Sequence, residues 1–168
     1  SCRVIWSMQS FTPHVNAASI NAIKGTFLGE NIQPSSHRFM EAAAFNSFKF
    51  YFTFRMYWGD KNQDVDPMLA EYYRLFYGPA EKEMKAFFEY CEKNWREVGK
   101  EREKADKVLE LIKIAQEKVD AESVYGHRIA LVDRFLNRLR GKLDTIGVET
   151  RRVGVPELPL AKAKGNVT

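Results

Sequence analysis

In the second half of the chain the apolar residues recur at spacings of three and four, and that periodicity restricts it to amphipathic helices. Met84, Phe87, Phe88, Cys91 and Trp95 form one stripe. Val108, Leu111, Ile112, Ala115 and Val119 form a second, and Ile129, Val132, Leu136, Leu139 and Leu143 a third. Ala121-Glu122-Ser123 marks the break between the last two. A helix with a single apolar stripe must bury it against a neighbour, so residues 79–146 are expected to form an up-and-down helical bundle. The chain lacks the self-similarity of roughly 34 or 40 residues that marks a helical solenoid.

Upstream of these stripes, Pro67 suits the first position of a helix, with Asp66 as its cap. That helix carries Met68, Leu69, Tyr72, Tyr73, Leu75 and Phe76, and Gly78-Pro79 ends it. Residues 34–58 are crowded with aromatics, from Phe39 to Trp58. Glu41 and the three alanines after it favour helix, and Ser35 or Ser36 can cap it. The alternation Phe48-Lys49-Phe50-Tyr51-Phe52-Thr53-Phe54 matches a strand equally well. No turn signal separates it from Glu41, so the reading is one long, mostly buried helix.

The first 33 residues are low in charge and read differently. Arg3-Val4-Ile5-Trp6-Ser7-Met8 is short, apolar and partly β-branched, as a buried strand is. A short helix comes next, with Val15, Ala18, Ile20 and Ile23 as its apolar members and Gly25 as its stop. Thr26-Phe27-Leu28 reads as a second strand. Strand, helix, strand is a βα unit of a parallel sheet, which needs further strands and cover on both faces. The fold class expected is therefore mainly α, with about two strands from the C-terminal end of a β/α barrel leading into a helical bundle extension. The divisions are 1–58 for the closing βα units, 59–146 for the helical extension, and 147–168 for a linker or tail holding Pro156, Pro159 and Gly165.

Composition narrows the functions. The 168 residues are 45% hydrophobic and 29% charged, which is globular composition. No apolar run is long enough for a membrane span. The net charge of +4 comes from 26 basic residues against 22 acidic ones. They interleave along the helical stretches, as on a solvated face, whereas a nucleic-acid stripe segregates the basic ones. Arg128, Arg134, Arg138 and Arg140, with Arg151 and Arg152 beyond, are diluted by Asp133 and Asp144. Cys2 and Cys91 are too few for a disulfide framework.

Candidate chemistry is sparse. Asp60, Asn62, Asp64, Asp66 and Glu71 fall at positions one, three, five, seven and twelve of a calcium loop. The sixth position, where that loop needs glycine, is Val65, so an N-capped helix with acids near its positive end is the better reading. His14, His37 and His127 stand far apart with no second ligand at metal spacing. A Gly-rich phosphate loop, a Gly-x-Ser-x-Gly elbow and a His-Glu-x-x-His pair are all missing, so no cofactor is implied. Glu30 and Asn31 come after the second expected strand, at the end of the sheet where α/β active sites lie. Trp58, like Trp6 and Tyr57, offers an aromatic face for a sugar ring, with core packing as the alternative.

Together, Ile23-Lys24-Gly25-Thr26-Phe27-Leu28-Gly29-Glu30, Trp58-Gly59-Asp60, Gln63-Asp64-Val65-Asp66 and the run from Glu71 to Ala80 resemble a bacterial family. It is a glycoside-hydrolase-like domain of unknown function, similar in architecture to α-glucuronidases and β-N-acetylhexosaminidases. The resemblance spans residues 20–143 and is most specific from Asp64 to Ala80. It implies the end of a β/α barrel, a helical segment beside it, and a polysaccharide or glycan substrate outside the cytoplasm, in the periplasm or secreted. It implies Glu30, Asn31 and Trp58 as substrate contacts. Glycosidases need two carboxyl groups across the scissile bond. In such barrels these come from earlier strands, so no catalytic residue is assigned here. The partners expected are a carbohydrate and the rest of the barrel. A self-contained α-helical interaction module is the alternative.

Overall fold

The computed structural model describes residues 12–26, 39–60 and 62–144, without the side chains of residues 39–46, 49 and 95. These residues are mainly helical, and no strand occurs among them. The order is α1 (Pro13–Ile23), α2 (Phe39–Trp58), α3 (Asp66–Tyr77), a 3-10 turn (Gly78–Ala80), α4 (Glu81–Val98), α5 (Arg102–Gln116), α6 (Val124–Phe135) and the single turn α7 (Asn137–Arg140). The expected strand at residues 3–8 lies outside the described residues. Of the second, only Thr26 is described, and it sits in a turn.

The long aromatic segment is helical because helical spacing sorts its rings by burial. Phe48, Phe52 and Met56, four residues apart, are almost fully buried. In a strand, Phe48, Phe50, Phe52 and Phe54 would share one face. Instead Phe54 is 50% exposed and stacks on Phe50 with ring centroids 6.2 Å apart, away from Phe48 and Phe52. α1 forms as expected and Gly25, at φ 89°, lies just past its end. Its apolar stripe is a correction. Pro13, Ala17 and Ile20 are buried, whereas Val15 and Ile23 are exposed. The cap of α3 is another. Asp66 is the first helical residue, Val65 stands at the cap, and the Asp66 N–H is met by Asp64 Oδ1 at 3.0 Å.

Between α3 and α4 the chain reverses at Gly78, whose φ of 51° and ψ of −114° suit glycine alone. A Cβ there would come within 2.7–2.9 Å of the Tyr125 ring. Pro79 fits the 3-10 turn that leads into α4, where its missing N–H has no helical partner to lose, and Ala80 is fully buried. Ser123 caps α6, accepting the Gly126 N–H at 3.0 Å. Gly126 itself packs on the Asp120 and Ala121 carbonyls.

One core runs through the helices. α2 packs on α1, α3 and α6, α3 lies between α2 and α4, and α5 fills the angle between α4 and α6. At its centre Phe48 meets Phe88 at 5.4 Å and Phe52 at 5.9 Å, and Tyr73 stacks on Phe88 at 5.6 Å. Such aromatic pairs stabilise beyond their buried area by about 0.5–1.5 kcal/mol each. The expected stripes of α4, α5 and α6 face this core through Met84, Phe87, Phe88, Cys91, Val108, Ile112, Ala115, Ile129, Val132, Leu136 and Leu139. No helix among the described residues is long and apolar enough to cross a membrane.

Candidate functional site

The region where α1, the end of α2 and the start of α3 meet gathers the chain's polar and aromatic specialities. Trp58 ends α2 and is 89% exposed, which is unusual for the side chain with the most apolar area to hide. With Phe54 and Phe50 behind it at intervals of four, it completes a ridge of rings along the side of α2 turned from the core. Glu30 and Asn31, the other two expected contacts, lie outside the described residues.

Below Trp58, Lys24 closes the C-terminal end of α2. Its ammonium donates to the carbonyl oxygens of Met56 at 2.5 Å and Asp60 at 2.8 Å, and to that of Gly59. These carbonyls lie at the negative end of the helix dipole, where a cation is favoured. The loop is pinned further by Asn21 Nδ2 on the Gln63 carbonyl at 3.1 Å and by Gln63 Nε2 on that of Asp60 at 2.8 Å. Asn62 takes the left-handed φ of 63°, which asparagine tolerates better than most residues.

The carboxylates with calcium-loop spacing turn to separate partners. Asp66 accepts from His14 Nε2 at 2.8 Å. Glu71 pairs with Arg55. That guanidinium, and Tyr51 behind it, hold the Glu71 carboxyl below its ordinary value. Asp64 is spent on the Asp66 N–H. Among the described residues no three His, Cys, Asp or Glu side chains converge where they would hold a metal.

A second polar cluster lies on the other end of α1. His14 Nδ1 is 2.8 Å from Glu92 Oε2, while its Nε2 is bonded to Asp66 as above. His14 lines a cavity of about 40 Å³ together with Phe48, Leu69, Tyr73, Lys85 and Glu89. Space of that size admits water. Sequence spacing concealed this cluster, because the partners of His14 stand 52 and 78 residues away.

Two of the basic residues of the last helices, Arg128 and Arg140, are engaged within the fold, whereas Arg134 and Arg138 are exposed. Arg128 covers the Phe76 ring at 4.3 Å and donates to the Phe76 carbonyl at 2.9 Å, closing the end of α3. Arg140 pairs with Asp133 and donates to Asn137 Oδ1 at 2.8 Å. Arg151 and Arg152 lie outside the described residues. Cys91 is fully buried, which pushes its thiol well above the ordinary range and leaves it unreactive.

Comparisons with family models, with curated proteins and with solved structures return no match for this chain.

Proposed function

We propose that the chain is the C-terminal portion of a glycoside-hydrolase-like protein acting on polysaccharide or glycan. In this reading residues 1–58 supply closing βα units of a β/α barrel and residues 59–146 the helical extension beside it. The portion is not itself catalytic; the carboxylate pair of the reaction comes from earlier strands of the barrel. The observation that carries the reading is Trp58. It heads the Trp-Gly-Asp motif of the resemblance and stands 89% exposed beside a tightly pinned loop, as an aromatic platform for the C–H face of a sugar does. Glu30 and Asn31 are its proposed companions as substrate contacts.

The test uses the full-length protein. Hydrolysis of a panel of aryl glycosides and polysaccharides is expected, with Trp58→Ala raising KM about tenfold or more and leaving the thermal midpoint unchanged. No hydrolysis of, and no binding to, any member of the panel would sink the reading.

A second reading has its own support. The core from Phe48 to Leu139 is continuous, as in a self-contained helical interaction module. That module would behave as a monomer or defined oligomer with one cooperative melt. A barrel portion would expose apolar surface and self-associate on dilution from denaturant.

A further inference from the structure

We propose that His14 is a pH-operated latch, which fastens α1 to α3 and α4 while both ring nitrogens carry protons and lets it go when one is lost. Both nitrogens stand 2.8 Å from a carboxylate oxygen, Nδ1 from Glu92 and Nε2 from Asp66. An ionised carboxylate only accepts, so both nitrogens must donate, and only the imidazolium does that. The His14 backbone N–H adds a third link, to Glu92 Oε1 at 3.3 Å. A neutral ring keeps one N–H. One of the two contacts then becomes a nitrogen lone pair facing a carboxylate.

The surrounding charges point the same way. α3 contributes Asp66 and Tyr73, α4 contributes Lys85, Glu89 and Glu92, and α2 contributes Phe48. Lys85 and Glu89 pair with each other at 3.7 Å, and Tyr73 is kept neutral by burial. Asp66 and Glu92 therefore leave the ring in a net negative setting. Partial burial opposes the charged ring, but the hydrogen bonds to Asp66 and Glu92 outweigh it and raise His14 above its ordinary 6.5.

Among the described residues, this latch and the burial of Pro13 and Ala17 hold the first turns of α1. Its 11 residues are too few for a stable isolated helix, and only Pro13, Ala17 and Ile20 are buried. The far end is tied by Lys24 and Asn21 to backbone carbonyls, which do not titrate. With the folded value raised, the latch contributes fully below pH 6.5 and is lost as the pH rises through the folded value. Acid conditions thus strengthen the hold on α1, and alkaline conditions weaken it at the N-terminal half.

The experiment is an NMR titration of the His14 ring in the whole chain, with hydrogen exchange of the α1 amides followed over about pH 5–9, the range in which an imidazole switches. We expect both ring nitrogens protonated near pH 6, titration above 6.5, and protection in α1 falling tenfold for each pH unit separating folded and unfolded values. Glu92→Gln should lower the titration midpoint and flatten the pH dependence; His14→Gln should abolish it. A neutral single tautomer near pH 6, or α1 protection that does not change with pH, would overturn the proposal. The wild-type titration and Glu92→Gln decide it even if His14→Gln fails to fold.

Discussion

Replacing Gly78 with alanine tests how α3 is joined to α4. The residue stands at φ 51°, ψ −114°, a backbone conformation that costs an L-residue about 1–3 kcal/mol. The new methyl would lie 2.7–2.9 Å from three atoms of the Tyr125 ring, and such overpacking adds about 1–3 kcal/mol. A total near 3 kcal/mol would lower the thermal midpoint by about 6–12 °C in a chain of this size. Calorimetry or circular dichroism reads this directly. Gly141→Ala is the control: its φ is −65° and its nearest neighbour, the Asn137 carbonyl oxygen, is an ordinary 3.5 Å away. That change should be neutral or raise stability by up to about 1 kcal/mol. Adding Tyr125→Ala to Gly78→Ala should relieve the clash and leave the backbone strain, so the pair should lose less than the two single changes summed. A Gly78→Ala melt within about 2 °C of wild type would refute both parts of the reasoning, since it corresponds to less than about 1 kcal/mol.

Other consequences arise from the buried tyrosines, the capping serine and the thiol. Burial raises Tyr72 to about 12 and pushes Tyr73 and Tyr77 up as well. Each is neutral in the fold after it has ionised in the unfolded chain, so stability present below pH 10 should fall as the pH climbs toward 12. Each tyrosine contributes about 1.4 kcal/mol per pH unit, and denaturant melts at stepped alkaline pH would show a flat profile if the account were wrong. Tyr77→Phe should weaken that alkaline slope with little loss at neutral pH, because its hydroxyl has no hydrogen-bond partner among the described residues. Ser123→Ala removes the acceptor of the Gly126 N–H and should cost about 1 kcal/mol, measured by denaturant midpoint, whereas Ser123→Asp should retain most of it. In a Cys2→Ser background, Cys91 should resist a thiol reagent until the chain is unfolded; prompt native labelling would contradict its burial.

The helices from α3 onward were legible because each shows the core a single stripe of apolar residues. Leu69, Tyr72 and Tyr73, then Met84, Phe87, Phe88 and Cys91, fall at helical spacing and are buried as that spacing requires. α2 was ambiguous for a physical reason. It carries rings on both sides, Phe48 and Phe52 inward and Phe54 and Trp58 outward, so neither period stands out. α1 misled because two of its large aliphatic residues, Val15 and Ile23, face solvent, while Ile20 and small Ala17 sit in the core. The acids at calcium-loop spacing read as the capped start of a helix, and the fold gives Asp66 a histidine, Glu71 an arginine and Asp64 a backbone amide. Contacts such as Lys24 on the end of α2, or His14 between two carboxylates, join residues too distant for local pattern to reveal. The Gly78-Pro79-Ala80 run acquires a mechanical meaning from the Gly78 turn, which makes it a folding requirement.

The central proposal is that this chain closes a larger β/α barrel, and the gene itself tests it. Sequencing outward from Ser1 should reveal an upstream extension of roughly 200 residues or more with strand–helix repeats, the length the missing barrel units demand. It should also reveal acidic residues at strand ends as candidates for the catalytic pair. A start codon a few residues before Ser1 would contradict the claim and leave a self-contained helical module.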